Sequence, residues 1–332
     1  MCRPATGSKD VTENTTQVNP RQNLMKRSRA KYFAHAFVLC MVDVDSPLRK
    51  SYWNSYYCCD KVAEMSSGGT SSNYCNNRWC LVCNRIRTAK MLNSYLPVLD
   101  EWSDKYFVTL TIPNVPADGL SDAISNMEKG FRLTKNQFWQ QHRRNQRDGK
   151  LVGLRKLECT YNVARDNYHP HYHVIVQGEQ NACDLLAEWL RRFPDAREIA
   201  QDIQKADDRS VREMFKYFTK LIAKTSGGES AVLPEPLDII FRVIRGKRTF
   251  QNFGFTKPKE TEEISEEAME MAEQIEQETV VEVYQWCQEM HDWIGKTTGK
   301  KLTGYVPAVK WRKFVENMEL KSLAGKKKNS GE

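Results

Sequence analysis

The chain has 332 residues, 40% of them hydrophobic, and a formal net charge of +8, enough for one generous domain or two modest ones around a packed core. The positive balance permits a polyanionic partner without demanding one. No run approaches the ~20 apolar residues needed to span a bilayer and the polar N-terminus has no signal-peptide core, so the expected setting is the cytoplasm, without a membrane partner and with ten reduced cysteines.

Residues 1–30 are polar and aperiodic and read as a leader. Residues 31–95 hold six of the cysteines and many aromatics, interrupted by a Ser/Gly loop at Ser66 to Ser72. Tyr106 to Ile112 alternates and is rich in β-branched and aromatic residues, predicting a strand that stops at Pro113. Helical spacing of Ile124, Met127 and Phe131 places a helix over 119–147. Strands are expected at Leu154–Val163 and His171–Gln177 around the turn Ala164-Arg-Asp-Asn167, then helices over Cys183–Phe193 and about 209–224. Leu237 to Ile244 reads as a mostly buried strand. Beyond residue 257 the composition turns acidic, with one long helical pattern from Thr261 to about Ile294 and a basic tail at Lys326 to Lys328. The implied organisation is a leader (1–30), a cysteine-rich region (31–95), a domain of alternating strands and helices (96–256) and an appended C-terminal helical segment with its tail (257–332).

Three of the six histidines fall in His169-Pro-His-Tyr-His173. Residues i and i+2 of a strand share a face, so His171 and His173 point the same way and chelate a divalent metal if a third ligand stands near. Glu158 on the preceding strand is the natural carboxylate. A hairpin turning between Arg165 and Asp166 sets it opposite His173. Two imidazoles and one carboxylate with open positions suit Mg²⁺ or Mn²⁺ as a Lewis acid. The competing reading is a pair of solvated histidines.

The spacing Cys75-x4-Cys80-x2-Cys83, among Arg78, Arg85 and Arg87, is that of three zinc ligands. Cys58 or Cys59 supplies the fourth, and the site is then closed and structural, bracing a DNA-binding surface at the three arginines. The bland alternative is four buried thiols packing as small hydrophobes.

In Val211 to Ile222, Val211, Met214, Phe215, Phe218, Leu221 and Ile222 form an apolar stripe. Tyr217 sits at its polar edge, one helical turn from Glu213 and beside Lys216 and Lys220, a setting that suits a phenolate attacking phosphate. Strand, helix, His hairpin, helix and Tyr helix in that order make an α+β arrangement able to bring His and Tyr together over one sheet face.

The combination resembles the HUH endonuclease superfamily, and within it the rolling-circle plasmid replication initiators (Rep) with one catalytic tyrosine and one glutamate. Phe107-Val-Thr-Leu-Thr-Ile-Pro-Asn114 matches the first motif, His169-Pro-His-Tyr-His-Val-Ile175 the second, and Glu213, Lys216, Tyr217 and Lys220 the third. The resemblance spans about Cys75 to Phe255. It implies a central antiparallel sheet with flanking helices, metal held by His171, His173 and Glu158, and nicking of origin DNA by Tyr217 with a 5′-phosphotyrosine intermediate. Glu213 is then the base for hydrolysis and Lys220 a phosphate or phenolate partner. Origin DNA, host replication proteins such as a helicase, and a second copy of the chain are the implied partners. A relaxase or transposase of the same superfamily, or a non-catalytic zinc-dependent DNA-binding regulator, are the alternatives.

Overall fold

The computed structural model describes residues 20–65, 70–215, 223–224, 230–256, 280–296 and 298–318. Two helices come first, α1 (Pro20–Val42) and α2 (Arg49–Tyr56), followed by strands β1 (Lys61–Met65) and β2 (Thr70–Ser72) and helix α3 (Leu81–Asp100). The middle of the chain supplies β3 (Lys105–Thr111), α4 (Leu120–Arg143), β4 (Gly153–Asn162), β5 (Asn167–Gln177) and α5 (Glu179–Arg192). Next are β6 (Asp202–Lys205), α6 (Asp208–Met214), the two-residue strands β7 (Ala223–Lys224) and β8 (Ser230–Ala231), α7 (Pro234–Ile244) and β9 (Phe250–Phe253). Strands β10 (Val280–Cys287) and β11 (Asp292–Gly295) and a last helix, α8 (309–318), complete it. The architecture is α+β, with antiparallel sheets flanked by helices.

The larger sheet runs β6-β3-β5-β4-β9, with β5 at its centre. Strand parity divides its residues between two helical layers. Val108, Leu110, Leu157, Tyr172, Val174 and Val176 pack on Ile124, Met127 and Phe131 of α4 and on Leu185 and Trp189 of α5. The indole of Trp189 donates to the Thr111 carbonyl at 2.8 Å, so its one polar atom is satisfied inside the core. On the opposite face Phe107, Leu154 and Ile175 meet Tyr95 and Leu99 of α3 and Val211 and Met214 of α6. Gly153 is required where β4 passes β5 and β9: a Cβ there would stand 2.4 Å from the Ile175 carbonyl oxygen and 2.6 Å from the Phe253 ring.

The second sheet, β11-β10-β1-β2, joins the cysteine-rich region to the C-terminal part, with Val62 paired to Tyr284. Cys58, Cys59, Val62, Cys80 and Cys83 share its small core with Tyr284, Trp286 and Trp293.

Four expectations are corrected. Helix α1 begins at Pro20, within the stretch read as a leader. Leu237 to Ile244 is helical because Pro234 and Pro236 preset the first turn, and Leu237, Ile240, Phe241 and Ile244 follow the i, i+3, i+4, i+7 stripe. The helix expected to about residue 224 does not reach it, since Ala223 and Lys224 are extended and pair with Ala231 and Ser230. The helical pattern expected through Ile294 gives way to β10 and β11, where β-branched and aromatic residues from Val280 to Trp286 favour a strand and turn Tyr284 and Trp286 inward. Residues 1–19, the acidic stretch 257–279 and the basic tail lie outside the described residues.

Candidate active site and cysteine cluster

The hairpin β4–β5 closes with Asn162 opposite Asn167, and Asp166 takes a left-handed conformation (φ 47°) in the turn. This places Glu158 opposite His171 and Lys156 opposite His173. The register therefore sits two residues from the expected one. A two-residue shift preserves strand parity, so Glu158 still shares the histidine face.

On that face one donor atom each from Glu158, His171 and His173 lie within 4.8 Å of one another. Glu158 Oε2 stands 3.6 Å from His173 Nε2. The hydrogen bond from His171 Nδ1 to the carbonyl of His169, at 3.1 Å, fixes its tautomer and leaves Nε2 as a lone pair toward the cluster. Thr109 Oγ1, 3.3 Å from His173 Nδ1, orients the other ring, and Phe107 stacks on it. His169 does not join the set; its Nδ1 is held at 2.7 Å by Asn114 of the loop after β3.

Burial holds the His171 imidazole well below its ordinary value, at about 4, with the charges of His173 and Lys156 adding to the effect and Glu158 opposing it. Burial lowers His173 as well. Both are then neutral ligands near pH 7. For Glu158 burial works upward, but the charge and hydrogen bond of the Lys156 ammonium lead the effects that hold the carboxyl below the ordinary range, so it is ionised. Two neutral imidazoles and a carboxylate fit a hard or borderline divalent cation.

Helix α6 packs on this same face through Val211 and Met214. Glu213 is half-buried near its C-terminal end, close enough for its charge to act on His173. Tyr217, Lys216 and Lys220 lie outside the described residues. Lys156, which the sequence reading passed over, is 3% exposed and donates to Glu158 Oε2 and to the Glu213 carbonyl, each at 3.0 Å. Its parity with Glu158 is the signal that would have found it.

The second cluster gathers Cys58, from the turn after α2, Cys75, from the loop after β2, and Cys80 and Cys83, at the start of α3. Sulfur separations are 3.5 Å for Cys58–Cys83 and 3.7 Å for Cys75–Cys83. Zinc–sulfur bonds of about 2.3 Å in a tetrahedron give edges of about 3.8 Å, and a disulfide would need about 2.05 Å. The cluster thus has the dimensions of a tetrathiolate zinc site. Hydrogen bonds with Cys58, Cys80 and Cys83 hold the Cys75 thiol far below its ordinary value, while Cys75, Cys80 and Cys83 push Cys58 up. Four thiols this close share protons that a divalent cation would displace. Cys59 faces elsewhere: its backbone is left-handed (φ 61°), Ser72 donates to its sulfur at 3.1 Å, and its carbonyl accepts from Trp293.

Of the three arginines, Arg78 donates to the Lys247 carbonyl and to Thr249, bracing the loop after α7, and Arg87 donates to the Asn76 carbonyl at 3.0 Å. The side chain of Arg85 is outside the described set. Trp79 between them is buried and stacks on Phe241. Among the described residues no helix is long and apolar enough to cross a membrane.

Residues 70–181 match the replication protein (Rep) family. That stretch contains Cys75, Cys80, Cys83, Glu158, His171 and His173 and ends before α6. Among curated proteins, one named Protein rep from Staphylococcus aureus is 29% identical over 181 residues, 49% of this chain and 72% of that protein. Another Protein rep, from a Bacillus species, is 31% identical over 182 residues, 45% of this chain and 57% of its own length. A third, from Streptococcus pneumoniae serotype 2, is 29% identical, with 53% of its length covered. The chain thus spans between about half and three quarters of these relatives. No solved structure matches. Both comparisons agree with the resemblance to Rep proteins that the motifs carry.

Proposed function

Starting from a chain similar to the Rep replication proteins across its ligand-bearing half, we propose that it initiates rolling-circle replication of a plasmid by nicking one DNA strand with a tyrosine. The observation that carries this reading is the assembly of Glu158, His171 and His173 on the sheet face against which α6 packs. Tyr217 follows the last residue of that helix, Met214, in the sequence.

His171, His173 and Glu158 would hold Mg²⁺ or Mn²⁺, which would supply Lewis-acid polarisation of a phosphate. Tyr217 Oη bonds to phosphorus as the P–O3′ bond breaks. The phenol proton leaves to solvent, and the departing oxygen takes one up as a 3′-hydroxyl for extension. The ester conserves bond energy for later rejoining. Glu213, half-buried beside His173, takes a proton from the water that ends a round. Lys220 balances charge on the phosphate or the phenolate. Cys58, Cys75, Cys80 and Cys83 would hold Zn²⁺, which would act structurally by tying α2 to α3. Arg85 and Arg87, with whatever reach Arg78 retains, meet the DNA backbone, making binding strongly salt-dependent. A host helicase and a second copy of the chain complete the proposed partners.

The test is incubation of the full chain with Mn²⁺ and a random pool of single-stranded oligonucleotides, followed by denaturing electrophoresis. A covalent protein–DNA adduct is expected in the wild type and absent in Tyr217→Phe. An adduct of equal yield in Tyr217→Phe would remove the catalytic assignment. DNA binding without any adduct would favour the regulator.

A further inference from the structure

A buried cation lies at the centre of the histidine face without a role in the scheme above. Lys156 is 3% exposed, and a buried ammonium is strongly unfavourable unless partners compensate. Its two partners belong to different parts of the site. One is Glu158 Oε2 at 3.0 Å, the carboxylate oxygen that also stands 3.6 Å from His173 Nε2. The other is the backbone carbonyl of Glu213, at 3.0 Å, in the last turn of α6. Carbonyls in a helix's last turn carry the negative end of its dipole, so an ammonium there is favourable. One side chain thus joins the carboxylate of the ligand cluster to the last turn of α6.

We propose that Lys156 is a positioning residue that anchors the C-terminal end of α6 over the metal site and competes with the metal ion for Glu158 Oε2. This rests on the nicking reading. Anchoring holds the described end of α6, through the Glu213 carbonyl, against the metal-ligand face. Competition follows because the ammonium already occupies the oxygen that faces His173, and because two positive charges within a few ångströms repel. The site therefore trades cation affinity for a fixed approach of the helix. A purely structural salt bridge predicts no such trade: removing it would loosen the face and weaken both properties together.

The experiment measures Mn²⁺ affinity of the zinc-loaded full chain by electron paramagnetic resonance, and adduct formation at saturating Mn²⁺, for wild type, Lys156→Met and Lys156→Arg. Lys156→Met is expected to bind Mn²⁺ about tenfold more tightly, from relief of short-range repulsion, while forming adduct about tenfold more slowly. Lys156→Arg keeps the charge and is expected to retain wild-type affinity and recover part of the rate. Lys156→Gln repeats the test if Lys156→Met fails to fold. Weaker or unchanged Mn²⁺ binding in the uncharged variants, or a wild-type adduct rate in them, overturns the inference. A wild type that binds Mn²⁺ but forms no adduct sinks the nicking reading; the affinity comparison then still decides the competition at Glu158.

Discussion

The two ligand clusters differ in how the chain builds them. The thiol cluster draws on three separated segments, the turn after α2, the loop after β2 and the start of α3, and surrounds its centre with four sulfurs. The histidine cluster takes three donors from two adjacent strands and leaves one side to α6. A closed four-ligand shell has no position for substrate, whereas a three-donor shell does. The first holds chain segments together; the second rests on a sheet already held by its own core.

The largest expected effect separates them directly. Binding energy at a structural zinc site is folding energy, on the order of 10 kcal/mol in small metal-dependent modules. Cys80→Ser is therefore expected to lose bound zinc and to unfold the region around β1, β2, β10 and β11, read as loss of near-ultraviolet signal from Trp286 and Trp293, both buried there. The matched change His171→Ala is expected to abolish Mn²⁺ binding while moving the melting temperature only a few degrees. A thermally silent Cys80→Ser, or an unfolded His171→Ala, would reverse the assignment of roles.

Acid is the next lever. Burial holds His169, His171 and His173 below the ordinary imidazole value, His171 at about 4. The folded chain keeps them neutral while the unfolded chain protonates them from about pH 6.5 downward. The unfolded state then binds more protons, so stability falls as pH drops from about 6.5 toward 4. Glu158 acts in the same direction: its folded value is depressed, and its contribution is lost as pH falls below the ordinary carboxylate range. Melting temperatures of the metal-free chain are expected to decline across this window, and the Mn²⁺-induced rise to vanish within it. A flat profile between pH 6.5 and 4.5 would mean that the histidine face is solvated.

What the sequence could disclose about these clusters follows from the range of the interactions involved. Strand parity is local, so His171, His173 and Glu158 were legible as one face. Register depends on the turn: the left-handed residue is Asp166, and the pairing moves by two. Lys156 stayed hidden because a lysine in a strand ordinarily reads as an edge residue pointing to water. The apolar run Leu237 to Ile244 satisfies both a buried strand and a helical stripe, and only the prolines before it decide. Strand β10 lies within the stretch that reads as one long acidic helical pattern, and its partner β1 is more than two hundred residues earlier, a pairing that no local pattern encodes.

The smallest effect concerns the adjacent cysteines, which spacing alone left as alternatives. Cys58 lies beside Cys83, while the left-handed backbone at Cys59 turns its sulfur toward Ser72. Cys58→Ser is then a ligand loss of the same kind as Cys80→Ser, and Cys59→Ser is not. Cys59 is fully buried, so a serine there exchanges a weakly polar sulfur for a hydroxyl that must find a partner. Ser72 already stands within hydrogen-bonding distance, which limits the cost to about 1 kcal/mol. Cys59→Ser is expected to keep one zinc per chain by atomic absorption and to melt a few degrees lower. Loss of the zinc in Cys59→Ser, with retention in Cys58→Ser, would exchange the two residues and with them the path of the chain through the cluster.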